Sequence, residues 1–381
     1  MSPEAAKKIM IIAGEASGDM HGASLVREMH KLDSSLAFFG IGGNRLEEAG
    51  VKLLAHASEI AVVGLTEVIA KISSIRKIAK NLKRAMDELR PELLILIDFP
   101  DFNLNIAARA AKKRNIRIFY YISPQVWAWR KSRINQIKKL VDKMAVILPF
   151  EVATYAQKGF AVDYVGHPLL DMVKMDYSRD QALNQLNLPA DKTTVALLPG
   201  SRMSEVNKLL PEMIKAADIM RSARPEIQFI LPLADMLEEK IITDMIDGYR
   251  VPVKVINGRT YDVITCADLA IVASGTATLE TGLLGVPMVI VYKMSPISYF
   301  VGRLIVDVKN IGLVNIVAGK TIVPELIQDE ANAGRIAAEA LDIINDPEKQ
   351  KRIKSELQSL RAKMGNPGAA LRAAKLAVDM L

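Results

Sequence analysis

Asp98 closes the apolar run LLILI (residues 93–97) in the segment LLILIDFPDFN. A carboxylate at the end of a fully apolar strand is either a buried structural acceptor or a general base whose partial desolvation lifts its pKa toward neutrality. Asp101, three residues on, reads as a helix N-terminal residue. A second acidic group lies in GEASGD (14–19), where Glu15, Ser17 and Asp19 flank Gly14 and Gly18 in a turn that opens a helix; Asp19 suits a cap. Two further turns suit anion binding rather than proton transfer. In LLPGSRMSEV, Gly200 and Ser201 precede Arg202, whose guanidinium can meet phosphate charge with forked hydrogen bonds. In SGTATLE, Ser274, Gly275, Thr276 and Thr278 offer backbone and hydroxyl donors at a helix start, and Glu280 can accept from ribose hydroxyls. The competing readings are a surface Arg in a turn and a tight strand–helix junction with Glu280 merely solvated.

Every one of these turns follows an apolar run of strand length. KIMIIAG (8–14), LAFFGIGG (36–43), LLILIDF (93–99), IRIFYYIS (116–123), KMAVILP (143–149) and VDYVGHP (162–168) form one series. TTVALLPGSR (193–202), IQFILPL (227–233), VPVKVING (251–258), DLAIVAS (268–274) and PMVIVYK (287–293) form another. Continuous runs alternating with helical patterns predict parallel sheets covered by helices on both faces. In such α/β sheets ligands bind beyond the carboxyl ends of strands. The expected fold is therefore two doubly wound Rossmann-like domains, residues 1–170 and 171–350. A helical stretch, 351–381, follows, and the polar segment 169–192 serves as linker. Neither G-x-G-x-x-G, nor a Walker lysine motif, nor Asp-x-Asp occurs, which disfavours a dinucleotide, a P-loop nucleotide and a metal clamp on a sugar nucleotide. Four scattered histidines and one cysteine, Cys266, form no metal-ligand spacing. No cofactor is expected.

The charge is unevenly placed. Residues 1–170 carry 25 Lys and Arg against 17 Asp and Glu, whereas 171–381 carry 25 against 26. The basic excess lies wholly in the first half and points to an anionic partner there: nucleic acid, an anionic membrane or a phosphorylated substrate. Few aromatics interleave those lysines, so nucleic acid is not expected. The stretch 61–84 repeats apolar residues at helical spacing, among them Leu65, Val68, Ile69, Ile72 and Ile75. From Lys71 onward it carries six basic residues, including Lys77 and Lys80, and no acidic one. It reads as an interfacial membrane helix or as a helix packed on the sheet with a solvated basic face. No apolar run is long enough to span a bilayer, and the N-terminal one is too short for a signal peptide. A lone cysteine suits a reducing compartment, so a cytoplasmic chain is expected. SPQVWAWRKSR holds both tryptophans, Trp127 and Trp129, beside Arg130 and Arg133, either as packing at a helix start or as a rim for an amphiphilic ligand. His167 in VGHP reads as a turn histidine.

Taken in order, AGEASGD, LLILIDFPDFN, SPQVWAWR, LLPGSR, SGTATLE and VPELIQ span nearly the whole chain. With them the sequence resembles the lipid-A-disaccharide synthases, bacterial glycosyltransferases of family 19 with the GT-B architecture, in which two such domains face a central cleft. The resemblance implies an inverting transfer from UDP-2,3-diacylglucosamine to 2,3-diacylglucosamine 1-phosphate. The products would be a β-1,6-linked disaccharide 1-phosphate and UDP, at the cytoplasmic face of the inner membrane. It also implies that Asp98 is the base and that Arg202 with Ser274 to Glu280 forms the UDP site. The loop Gly14 to Gly18 would lie on the acceptor side, with Glu15 the alternative base, and residues 61–76 would be the membrane-facing segment. His21 receives no role. The C-terminal helix would return to the first domain, and the sequence leaves a homodimer open.

Other readings keep part of this. Another UDP-sugar enzyme of the same architecture, such as a muramyl-pathway N-acetylglucosaminyltransferase or a UDP-GlcNAc 2-epimerase, would share the nucleotide site without the acyl requirement. A non-catalytic peripheral membrane protein that binds nucleotide would keep the helix at 61–84 and need no Asp98.

Overall fold

The computed structural model describes residues 7–59, 65–127, 132–173, 177–234, 237–294 and 310–381, with residues 65–72 described as helical backbone only. The chain forms two units, Met1–Asp171 with Asn366–Leu381, and Met172–Gly365. Each is built on one parallel sheet.

In the first unit, seven strands, β1 (Lys8–Ala13), β2 (Ala37–Gly42), β3 (Lys52–His56), β4 (Leu93–Ile97), β5 (Arg117–Tyr121), β6 (Lys143–Val146) and β7 (Asp163–Tyr164), lie in the order β3-β2-β1-β4-β5-β6-β7. β1 is the hinge of this order: Ile11 stands opposite Gly40 of β2 on one side and Ile95 of β4 on the other. The apolar runs are continuous because both faces of the sheet are covered. Successive residues of β4 enter opposite cores: Leu94 and Leu96 join Met10, Ile12 and Tyr120, while Leu93, Ile95 and Ile97 join Ile9, Ile11 and Phe119. All five β4 side chains are fully buried; each contributes about 1.5–3 kcal/mol relative to exposure.

The second unit repeats the plan with β8 (Thr193–Leu198), β9 (Ile227–Leu233), β10 (Val253–Asn257), β11 (Leu269–Ala273), β12 (Met288–Tyr292) and β13 (Glu325–Ile327), in the order β10-β9-β8-β11-β12-β13. Here β8 is the hinge, with Val195 opposite Phe229 and Leu269.

Two strands were not expected from the runs, β3 and β13. Both are edge strands, half-buried rather than fully apolar, so they lack the continuous pattern that marks a central strand. The C-terminal boundary also differs from the sequence reading. The helix Pro347–Lys363 stays with the second unit, where Leu357 packs near Gly282, and only the segment from Asn366 joins the first. There the helix Ala369–Val378 buries Ala373, Ala374 and Ala377 in the core that also holds Val26 and Met29. Asp171 fixes its start by accepting from the N–H groups of Gly368 and Ala369. The helix Leu65–Leu89 turns Ile78, Leu82 and Met86 into the first core. Ile75, read as a membrane residue, is half-buried against the same core, while Lys77 and Lys80 are exposed. Residues 61–64 and the side chains of Leu65, Val68, Ile69 and Ile72 lie outside the described residues, as do Trp129 and Arg130.

Candidate active site

A doubly wound sheet binds ligands where its strand order reverses, because the two helices leaving neighbouring strands there diverge and open a crevice. The reversals fall between β1 and β4 in the first unit and between β8 and β11 in the second. The turns after those four strands are the four segments whose residue types suggested chemistry.

In the first unit, Ala13 pairs with Ile97, so Gly14 and Asp98 leave the sheet side by side. Asp98 and Phe99 both adopt left-handed backbone, with φ of 42° and 46°. Two consecutive non-glycine residues in that region cost roughly 1–3 kcal/mol each and persist only where their surroundings hold them. Here the surroundings do. The Asp98 carbonyl accepts from the Tyr120 hydroxyl at 2.5 Å and from Asn103 Nδ2 at 2.7 Å, and Asn103 also donates to the Ile97 carbonyl at 3.3 Å. The Phe99 ring stacks on Phe102 at 5.8 Å and crosses Gly14 so closely that a Cβ there would stand 2.3 Å from the ring. Gly14 must therefore be glycine. The helix beginning at Pro100 passes into a π-turn at Asn103–Ala107, a distortion that recurs at functional sites.

The distorted turn holds the Asp98 side chain half-buried. Burial, then the negative charge of Glu15, push its pKa from 3.8 up to about 6, against the opposing pull of the Phe99 N–H and the Arg133 guanidinium. Arg133 is itself pinned by an ion pair to Asp101. Of the first loop, Glu15 and Ser17 are exposed, whereas Gly18 is buried and serves helix–sheet packing: a Cβ there would stand 3.5 Å from Ala13 and Ile97. Asp19 does cap a helix, but not its own: its carboxylate accepts from the N–H groups of Gly43, Arg45 and Leu46, and so ties the end of β2 to the helix Asn44–Glu48. His167 is a turn histidine, its Nδ1 accepting from Leu169 N–H at 3.1 Å; burial and the nearby His21 hold it neutral, down to about 3.

The second reversal is more open. Gly275 precedes the helix Thr276–Leu283 without a side-chain cap, and nothing stands within 4 Å of where its Cβ would be. Gly275 and Thr276 are exposed, so the helix presents its first N–H groups and positive dipole end to solvent, a ready anion site. Ser274 does not face it freely: its hydroxyl donates to the Ile311 carbonyl at 3.2 Å. Thr278, expected to contact ligand, is fully buried and its Oγ1 donates to the Gly275 carbonyl at 2.8 Å, so it holds the turn instead. Glu280 is half-buried and its carboxyl is raised by burial; one oxygen accepts from the Tyr261 hydroxyl at 2.9 Å. Tyr261 was not singled out in the sequence; its only signal is its place just after β10, in NGRTY.

On the neighbouring strand, Gly200 takes φ 113° to let the Glu205 carboxylate fold back over the turn. Glu205 accepts from Ser201 N–H at 3.2 Å and lies 3.7 Å from the Arg202 guanidinium, which is 66% exposed. The carboxylate thus occupies donors that a phosphate would use, and the exposed pair is weak enough to exchange. Glu205 was missed because a Glu in the first turn of a helix is ordinarily read as dipole compensation. Among the described residues, no three His, Cys, Asp or Glu side chains gather as a metal site.

A family model described as lipid-A-disaccharide synthetase matches residues 9–379. The chain is 55% identical to the lipid-A-disaccharide synthase of Syntrophus aciditrophicus, with 98% of each chain covered. Among solved structures it resembles the calicheamicin glycosyltransferase (TM-score 0.62, 14% identity, 98% of each chain). It also resembles the UDP-GlcNAc 2-epimerase of Neisseria meningitidis bound to UDP-GlcNAc (TM-score 0.61, 12% identity, 98% of each chain). At that identity the likeness is one of fold, the GT-B architecture.

Proposed function

The chain belongs to the lipid-A-disaccharide synthase family, and on that premise we propose that it joins UDP-2,3-diacylglucosamine to 2,3-diacylglucosamine 1-phosphate with inversion, Asp98 acting as the general base. Membership makes it a UDP-sugar glycosyltransferase of lipid A disaccharide synthesis. The observation that carries the role of Asp98 is its setting: a half-buried carboxyl on a strained turn at the strand reversal, lifted to about 6.

A base of that pKa is largely ionised at neutral pH yet basic enough to take a proton from a sugar hydroxyl as it attacks. In the step proposed, the 6-hydroxyl oxygen of the acceptor bonds to the donor's anomeric carbon from the face opposite UDP. Its proton passes to Asp98, and the anomeric C–O bond breaks with its electron pair leaving on the diphosphate. Charge on UDP is met by the N–H groups at the start of the helix Thr276–Leu283 and by Arg202 once Glu205 yields it. The other oxygen of Glu280 accepts from the ribose.

The second partner is an anionic membrane surface at the cytoplasmic face, met by the helix Leu65–Leu89. Among the described residues no helix is long and apolar enough to cross a membrane. The direct test is to incubate the protein with both acylated substrates and to look for a disaccharide 1-phosphate and UDP. Turnover of the donor without a disaccharide, the outcome for a 2-epimerase, would overturn the reading.

A further inference from the structure

The first unit carries a basic groove toward the amino-terminal edge of its sheet, opposite the carboxyl ends after which Asp98 lies. A groove of about 620 Å³ runs between the second half of the helix Leu65–Leu89, the segment 105–114 and the end of the helix Arg133–Leu140. Ile106, Ala110 and Leu140 line it apolarly, and five cations surround them: Lys83, Arg109, Lys112, Lys113 and Arg114. Two are neutralised. Arg114 forks onto Asp87 with two bonds of 2.7 Å, and Lys112 pairs with Asp142. Lys83, Arg109 and Lys113 have no carboxylate partner among the described residues, and all three are exposed. The helices leaving the carboxyl ends of β3 and β4 bring these residues toward the opposite, amino-terminal edge of the sheet.

Three unneutralised cations around an apolar-lined hollow cost self-repulsion unless an anion is drawn there, and the hollow is continuous with the basic side of the helix that also exposes Lys77 and Lys80. We propose that this groove is a docking site for the phosphate headgroup of an anionic membrane phospholipid, which fixes how the first unit rests on a bilayer. The phosphate would bridge Lys83, Arg109 and Lys113, and the glycerol end would lie over Ile106 and Leu140. This inference rests on the membrane reading of the helix Leu65–Leu89. It adds a headgroup site at the helix's C-terminal half, where the aliphatic side chains are already used by the core.

The test uses the full chain with Lys83, Arg109 and Lys113 changed to Gln, beside a control carrying Lys351→Gln, Arg352→Gln and Lys354→Gln. The control residues are equally exposed cations on the second unit and impose the same change of net charge. Flotation with phosphatidylcholine vesicles, with and without phosphatidylglycerol, measures binding. Each cation near an anionic surface strengthens binding roughly five-fold, so the groove variant should bind phosphatidylglycerol vesicles about 100-fold more weakly, with its melting temperature unchanged. The control should lose less than about three-fold at moderate salt, its charges lying outside the contact. Equal losses in both variants would reduce the effect to net charge and overturn the site. Wild-type affinity in the groove variant would overturn the groove while leaving the membrane reading standing. Failure of the unmodified protein to bind either vesicle would overturn both. Millimolar inorganic phosphate separates the sources: little competition is expected for a bilayer headgroup site, whereas full displacement would assign the groove to free phosphate.

Discussion

The two strand reversals have the same topology and opposite construction. Between β1 and β4 the chain is strained and closed in: two left-handed residues, a phenyl ring lying on a glycine, and a carbonyl held by Tyr120 and Asn103. Between β8 and β11 it is open, with an uncapped helix start, exposed Gly275 and Thr276, and an Arg paired only loosely with its neighbour. On the proposed function, the difference follows from what each end would handle. A proton is moved by a group whose pKa has been shifted, which needs desolvation and therefore enclosure. A diphosphate brings its own charge and needs N–H groups and a cation left unsatisfied until it arrives. One fold can supply both because the reversal fixes only where a crevice opens, while the residues after each strand decide what it can do.

If this division holds, substitutions in the first reversal alter turnover and its pH dependence, and those in the second alter nucleotide affinity. The largest effect is expected at Asp98. Asp98→Asn should lower turnover by roughly 10²–10⁴-fold while UDP binding, followed by calorimetry, stays within a factor of two or so. Loss of UDP affinity in this variant would erase the distinction between the two ends. Arg202→Ala should weaken transition-state binding by about 2–4 kcal/mol, without moving the pH at which the rate is half-maximal. Activity should survive EDTA; inactivation reversed by added Mg²⁺ would transfer the role of Arg202 to a metal.

The acid limb sharpens the comparison. The pKa of Asp98 is raised on folding, from 3.8 to about 6, so between those values the folded protein holds the proton that the unfolded chain has lost. Stability therefore falls as pH rises through this window, by up to about 3 kcal/mol, while the rate should rise with a midpoint near 6. Asp98→Asn should remove both dependences, leaving a variant that melts higher than the wild type near neutral pH and no higher at about pH 4. Glu15→Gln should move the rate midpoint below 6, since its charge is the second cause of the shift. A Glu15→Gln variant whose turnover fell as far as that expected of Asp98→Asn would make Glu15 the base.

Smaller effects are expected in the second reversal. Glu205→Ala should release Ser201 N–H and Arg202 and tighten UDP binding several-fold, consistent with an exposed pair contributing under ~1 kcal/mol. Thr278→Val should leave UDP affinity unchanged and cost about 1 kcal/mol of stability, the loss of one turn hydrogen bond; a changed affinity would return Thr278 to the ligand.

Much of this fold could be read in advance. Eleven runs became strands; nine lie inside their sheets, where both neighbours and both faces are covered and the apolar run is continuous, and two, β7 and β10, lie at edges. β3 and β13 stayed hidden because an edge strand pairs on one side only and tolerates polar residues, and unlike the edge strands β7 and β10 neither is followed by a glycine turn that marks its end. The turns at Gly14, Asp98, Gly200 and Ser274 were legible for a similar reason: small or charged residues interrupt an apolar run at the place where a strand leaves the sheet.

What local pattern leaves out is the partner. That Asp19 ties down Gly43 and Leu46, that Arg133 pairs with Asp101, and that Tyr120 and Asn103 hold the Asp98 carbonyl are contacts across separated strands and helices, set by the order and register of the sheet. The same holds for the roles that shifted. Thr278 looked like a ligand hydroxyl and proved to close a buried turn, and Ile75 looked like part of a membrane face and packs on the core. Residue type and spacing determined that this chain has two parallel sheets, with an acid at one reversal and anion donors at the other. Whether the acid is desolvated and the donors are free depends on which distant groups fill the space beside them, and only the tertiary structure decides that.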